Sequence, residues 1–214
     1  MKASLDPPEV SICVVSLNGH DRLHRLLDSL AEHTSHIDYE VVIVESGSRV
    51  RDYVGRMNRA LRAGAGRIIV GLNDDVQVAA GWLDPLIAAI DAGAWVCYPD
   101  QSTTDGNQCI CGWCVVWERR ALYGNRLIGG TQDLFYDEQF VLWGSDIDLV
   151  KRLHALDRPP VRVKIPEPLI HDRSTTVANP KFEADFNQWG GEDLGRYEQK
   201  WGTLAQTDKF ELAP

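Results

Sequence analysis

With 214 residues, 44% of them hydrophobic, the chain can fill one well-packed core, and a single domain accounts for its length better than two small ones. A net charge of −9 argues against general binding to polyanions, and no apolar run approaches the roughly 20 residues that span a bilayer. Five cysteines in a chain too large to need disulfide staples fit a reducing compartment, and MKASLDPPEV has neither the basic region nor the apolar core of a signal peptide, so a soluble, cytoplasmic protein is expected.

The first apolar, β-branched run covers residues 10–16 and reads as a strand. Leu23, Leu26, Leu27 and Leu30 then follow the i, i+3, i+4, i+7 rule of an amphipathic helix. A second strand is expected over 41–44 and a second helix around 51–63. That helix lies in a basic stretch, 49–67, where Arg49, Arg51, Arg56, Arg59, Arg62 and Arg67 face Asp52 alone, a local charge of +5. Arg56, Arg59 and Arg62 recur at threes opposite Val54, Met57 and Leu61, the pattern of a solvated helix face; a surface for a polyanionic acceptor is the sharper alternative. A third strand over 68–72 and a third helix over about 81–92, with Pro85 near its start, complete the alternation. Beyond residue 94 the regularity breaks down. Strands are expected over 95–98, 112–117 and 161–165, with one helix from about Asp146 and His171 closing the last strand. Alternating strands and helices predict βαβ units, hence an α/β domain with a mixed, mostly parallel central sheet flanked by helices.

In an open sheet of this class, ligands gather at the carboxyl ends of the parallel strands. Those ends read Ser16-Leu17-Asn18, Glu45-Ser46-Gly47-Ser48 and Asn73-Asp74-Asp75, while neither GxGxxG nor GxxxxGK[ST] follows a strand. Adjacent carboxylates repel unless a cation neutralises them. A hard divalent ion, Mn²⁺ or Mg²⁺, takes one or two protein carboxylates and fills its other positions with phosphate and water. The plainer reading is that Asn73 and Asp74 form a turn and Asp75 caps the next helix. The triplet by itself leaves both open.

Six stretches in order, VSICVVSLNGHDRLHRLLDSL, YEVVIVESGS, AGRIIVGLNDDVQVAAGWLDPL, GWCVVWERRAL, WGSDIDLVKRL and PEPLIH, resemble the family 2 glycosyltransferases of the GT-A fold, the rhamnosyltransferase-like members above all. The resemblance covers roughly residues 10 to 172, with a weaker echo in RYEQKWG. It implies a single GT-A (Rossmann-like nucleotide-binding) domain over 1–214: a nucleotide-binding βαβ half (1–93), an acceptor and catalytic half (94–172) and a C-terminal extension (173–214). It implies that Ser16, Asn18, Asn73 and Asp74 lie at the nucleotide. Glu45 stands where such enzymes carry an aspartate that contacts base or ribose, and its extra methylene leaves the donor open among UDP, dTDP and GDP sugars. Asp75 occupies the principal metal position of the DxD motif, in a variant that opens with asparagine. His171, by its residue type a surface histidine, is in the resembling enzymes the residue that completes the metal site.

Asp146 falls on the family's catalytic carboxylate. By residue pattern, Ser145 and Asp148 make a capping-box-like helix start, and Asp146 in the first turn would be held ionised by the helix dipole. Cys109, Cys111 and Cys114 lack a fourth zinc ligand, and strand alternation explains them. Of the tryptophans, Trp113, Trp117 and Trp143 fall near the expected acceptor side. The implied activity is a metal-dependent, inverting transfer from a nucleoside diphosphate sugar to an acceptor hydroxyl. The acceptor is open among saccharide, lipid-linked sugar, protein and modified nucleic acid base. The alternatives are a metal-dependent nucleotidyltransferase, a sugar-nucleotide hydrolase using Asp74, Asp75, His171 and Asp172, and a catalytically dead sugar-nucleotide-binding or scaffold protein.

Overall fold

The computed structural model describes residues 6–17, 20–45, 52–101, 112–127, 133–171 and 180–202. Strand β1 (Val10–Ser16) is buried along its whole length, which is why VSICVVS carries no charge. It is flanked by two parallel neighbours, β2 (Tyr39–Glu45) and β3 (Ile68–Asn73), reached through helices α1 (His20–His33) and α2 (Tyr53–Ala63). A short strand β4 (Val76–Gln77), helix α3 (Asp84–Asp91) and strand β5 (Val96–Pro99) follow. Then come β6 (Cys114–Glu118), α4 (Arg119–Leu127), α5 (Ser145–Ala155), β7 (Val161–Val163), β8 (Ile170–His171) and α6 (Pro180–Trp201).

The main sheet has the order β2-β1-β3-β6-β5-β7. Strand β6 runs antiparallel to both its neighbours, and the other pairings are parallel. This is the mixed, mostly parallel sheet expected. Alternation along the strands divides the core in two. Ile12, Val14, Ile68 and Val70 join Leu23, Leu26 and Leu30 of α1 and Leu86 and Ile90 of α3 on one face. Cys13, Val15 and Trp117 meet Val54, Met57 and Leu61 of α2, Leu149 and Leu153 of α5, and Tyr197 of α6 on the other. Each fully buried leucine stabilises the fold by roughly 1.5–3 kcal/mol relative to exposure, so both faces must stay covered.

Several expectations change. The strand thought to run from Val161 to His171 is two strands: β7 joins the edge of the main sheet, whereas β8 pairs with β4 in a separate two-stranded ribbon, Val76 opposite His171. The residues between them turn away, since KIPEPL carries two prolines that cannot donate to a ladder. The capping box at α5 is absent: Gly144, at φ 77°, caps the helix, Ser145 is its first residue, and the Asp148 amide donates to the Gly144 carbonyl at 2.8 Å. Asp75 likewise caps no helix, because β4 follows it.

Candidate active site at the carboxyl edge of the sheet

Parallel pairing brings the ends of three strands level, Ser16 opposite Glu45 and Val15 opposite Asn73. Because β6 runs the other way, its beginning arrives at the same edge: Cys114 pairs with Leu72, and the Asn73 amide donates to the Trp113 carbonyl at 3.0 Å. Gly112 and Trp113 therefore stand beside the Asn73-Asp74-Asp75 turn, although about forty residues of sequence separate them.

Asp74 points inward. The Ser16 hydroxyl donates to its Oδ2 at 2.8 Å, and the Arg22 guanidinium lies 3.6 Å from the same oxygen. Burial pushes this carboxyl above the ordinary aspartate range, while the Ser16 hydrogen bond and the Arg22 charge pull it down. Asp74 thus ties the end of β3 to the end of β1. Glu45 is exposed at the end of β2, and Asn18 lies outside the described residues.

Asp75 behaves differently. His171 Nε2 is 3.3 Å from its Oδ1 but off the hydrogen-bonding direction, so this buried oxygen receives no hydrogen bond from the described residues. The imidazole is held by stacking on Trp113, with centroids 4.9 Å apart and planes at 18°. An acceptor oxygen without a donor, beside a ring nitrogen, fits one divalent cation whose remaining positions go to ligand oxygens and water. Among the described residues, no group of three His, Cys, Asp or Glu side chains could hold a metal without such help.

Asp146 sits in the first turn of α5 with its carboxylate against Gly112. A Cβ at Gly112 would lie 2.8 Å from Asp146 Oδ2, so only glycine leaves room for this approach. Its Oδ1 accepts from the Ile147 amide at 2.9 Å. The expected dipole effect is nevertheless outweighed: burial pushes the Asp146 carboxyl up, with the Ile147 and its own amide only partly opposing. Asp148, two residues on, is fully buried and serves packing. It binds Arg152 Nε at 2.8 Å, Lys200 Nζ at 2.6 Å and Trp201 Nε1 at 2.9 Å.

Tyr53 was not singled out from the sequence, yet it stands among the site's carboxylates. Its hydroxyl donates to Asn73 Oδ1 at 2.6 Å. Burial, followed by the negative charges of Asp75, Asp146 and Asp74, raises the phenol so that it stays protonated. The available signal was positional: a tyrosine opening the helix after β2 lies at the strands' carboxyl edge. Of the three tryptophans considered, Trp117 is in the core, Trp113 stacks on His171, and Trp143 is 52% exposed three residues before Asp146.

No family model matches the chain, and no curated protein sequence does. Solved structures do. The catalytic domain of Drosophila beta1,4galactosyltransferase 7, in complex with xylobiose, superposes with a TM-score of 0.58 at 10% identity, over 77% of this chain and 71% of that one. The chain has the GT-A glycosyltransferase fold. Residues 1–349 of S. aureus TarS in complex with UDP share it, with a TM-score of 0.53 at 14% identity over 96% of this chain and 75% of that one. The longer S. aureus TarS chain gives 0.57 at 15% identity, and the present chain spans 45% of its length. At these identities the common property is the GT-A fold, whose sheet edge here carries Ser16, Glu45, Asn73, Asp74 and Asp75. Among the described residues, no helix is long and apolar enough to cross a membrane.

Proposed function

We propose that this protein is a glycosyltransferase that moves a sugar from a nucleoside diphosphate sugar to an acceptor hydroxyl with inversion at the anomeric carbon. The observation that carries the reading is one juxtaposition. Asp75 lies beside His171, whose ring stacks on Trp113, and Asp146 packs against the adjacent Gly112, with the neutral Tyr53 phenol feeling the charges of Asp74, Asp75 and Asp146. A pair suited to a cation and a carboxylate suited to act as base, gathered on one two-residue turn, are the groups that an inverting displacement uses.

In this mechanism Asp75 and His171 hold Mn²⁺ or Mg²⁺, which when bound offsets the negative charge of the departing diphosphate. Ser16, Glu45 and Asn73 face the nucleotide, with Asp74 bracing the strand ends from beneath; the resemblance adds Asn18 to them. Tyr53 occupies the Asn73 carbonyl oxygen, which leaves the Asn73 amide nitrogen to donate toward donor oxygens. Asp146 accepts the proton of the acceptor hydroxyl as its oxygen bonds to the anomeric carbon. The bond from that carbon to the diphosphate breaks on the opposite face, and its electron pair leaves with the diphosphate. Burial suits Asp146 to this work, because a carboxylate with a raised pKa is a stronger base than a solvated one. Exposed Trp143 offers the acceptor sugar ring a stacking face beside the base.

The UDP bound to TarS makes UDP sugars the first donors to try, followed by dTDP and GDP sugars. The test is chromatography of a sugar-nucleotide panel incubated with saccharide and lipid-linked acceptors, with Mn²⁺ and with chelator. A glycosylated product of opposite anomeric configuration, dependent on added metal, is expected. Hydrolysis of the donor at equal rate with and without every acceptor would replace the transferase reading with a hydrolase.

A further inference from the structure

Asp193, Tyr197 and Trp201 lie on the inward side of α6 with exposed Lys200 beside them, and their contacts fall on the chain leading into α5 or on α5 itself. Tyr197 packs in the same core as Phe140 and Leu149, while Lys200 and Trp201 reach Asp148. Asp193 does something else. It is 1% exposed, and its Oδ2 accepts three successive backbone amides, Val141 at 3.1 Å, Leu142 at 2.8 Å and Trp143 at 2.9 Å. Its Oδ1 accepts from the Val141 amide at 3.0 Å and from Arg196 at 2.6 Å.

Residues 141–143 belong to no helix or strand, so their amides have no ladder to bond. One carboxylate gathers all three and fixes the path of the turn. Gly144 follows in the left-handed region at φ 77°, and Asp146 comes two residues later. A shift of the turn therefore passes into Asp146, whose carboxylate occupies a space against Gly112 too tight for a Cβ. Lys200, Trp201 and Tyr197 already fasten α6 to α5, so holding the two helices together does not require Asp193.

We propose that Asp193 is a positioning residue for Asp146: by binding the amides of residues 141–143 it sets where α5 begins and where its base stands. This rests on the transferase reading, in which Asp146 takes the acceptor's proton. Displacements of about 1 Å at a reacting group cost up to a hundredfold in rate, and such a loss appears in kcat rather than in donor binding.

The test compares Asp193→Ala, Asp193→Asn and Arg196→Met with the parent. Three readouts are taken: nucleoside diphosphate released from UDP, dTDP and GDP sugars in the presence of the saccharide and lipid-linked acceptors, the KM of the donor used best, and hydrogen exchange at the amides of Ile147 and Asp148. Asp193→Ala is expected to lower kcat about ten- to a hundredfold, to leave the donor KM within about twofold and to speed exchange at the start of α5. Arg196→Met, which removes the ion pairs to Glu192 and Asp193 but frees no amide of the turn, should keep parental turnover. Should Asp193→Ala fail to fold, Asp193→Asn decides; its NH₂ group must face Arg196 or a backbone amide, so the same split is expected at smaller amplitude. A folded variant with parental kcat and unchanged exchange overturns the proposal. If the parent releases no nucleotide from any donor, it is the transferase reading that fails. Exchange at Ile147 and Asp148 then decides whether Asp193 anchors the start of α5: unchanged protection overturns this too, and faster exchange upholds it.

Discussion

In the proposed mechanism Asp146 couples stability and turnover through one proton. Burial makes the folded protein hold that proton more tightly than the unfolded chain does, so its contribution to stability is full below the ordinary aspartate range and is lost as pH rises through the raised pKa. Asp74, raised by the same cause, has the same sign. If Asp146 is the base, turnover needs it ionised, and activity should climb across the window in which stability falls. Asp146→Asn is expected to keep donor binding and to cut turnover about 10²–10⁴-fold, or roughly 3–5 kcal/mol of barrier. It should also flatten the acid part of a plot of urea midpoint against pH. Near-parental turnover would remove Asp146 from the chemistry. Asp75→Ala tests the neighbouring site: calorimetry should show metal-dependent nucleotide binding lost while the melting curve stays close to the parent's. The buried Asp75 Oδ1 receives no hydrogen bond from the described residues whose loss would cost stability. Asp75 was singled out in the sequence because adjacent carboxylates at a strand's end repel unless a cation neutralises them, although a turn and a helix cap fitted the triplet equally well. Tyr53 was not, because a tyrosine opening a helix is ordinary until its hydroxyl is found on Asn73.

At the scale of elements, α2 bears out the amphipathic reading: Val54, Met57 and Leu61 are buried, and Arg62 is paired with Glu138 at 2.8 Å and lies over Phe135. Arg49 and Arg51, the start of the basic stretch, lie outside the described residues, as do Cys109, Cys111 and Asp172. Helix α6 escaped the sequence reading because Gly190, Gly191 and Gly195 each weaken a helix by about 1 kcal/mol relative to alanine. Tertiary anchors outweigh that deficit, and Asp148 is one of them. Asp148→Ala leaves Arg152, Lys200 and Trp201 without their common acceptor, and removing one member of a buried ion pair costs about 3–5 kcal/mol. Denaturant unfolding should show a loss of that order. A loss below about 1 kcal/mol would mean that solvent replaces Asp148 at the α5–α6 junction.

For the whole molecule, a ligand that binds only the folded state raises stability by RT ln(1 + [L]/Kd), about 2.7 kcal/mol at a hundredfold excess over Kd. At 2–4 °C per kcal/mol for a chain of this size, UDP with Mn²⁺ should shift the melting temperature by about 5–10 °C if it is the donor nucleotide. Smaller shifts for dTDP and GDP would identify the base. The sequence by itself determined the strands β1 to β3, the helices α1 to α3 between and after them, and the edge at which a ligand would sit. Each follows from a local period, 2 for strands and 3.6 for helices, and from the rule that parallel strands present their carboxyl ends together. Only the tertiary structure decided which side chains meet at that edge. The reversed direction of β6 brings Gly112 and Trp113 to Asp146 and His171, the β4–β8 ribbon sets His171 opposite Val76, and a carboxylate of α6 holds the turn before α5. These meetings join residues far apart in sequence. Strand direction, register and loop path fix them, and a local hydrophobic period carries information about none of the three.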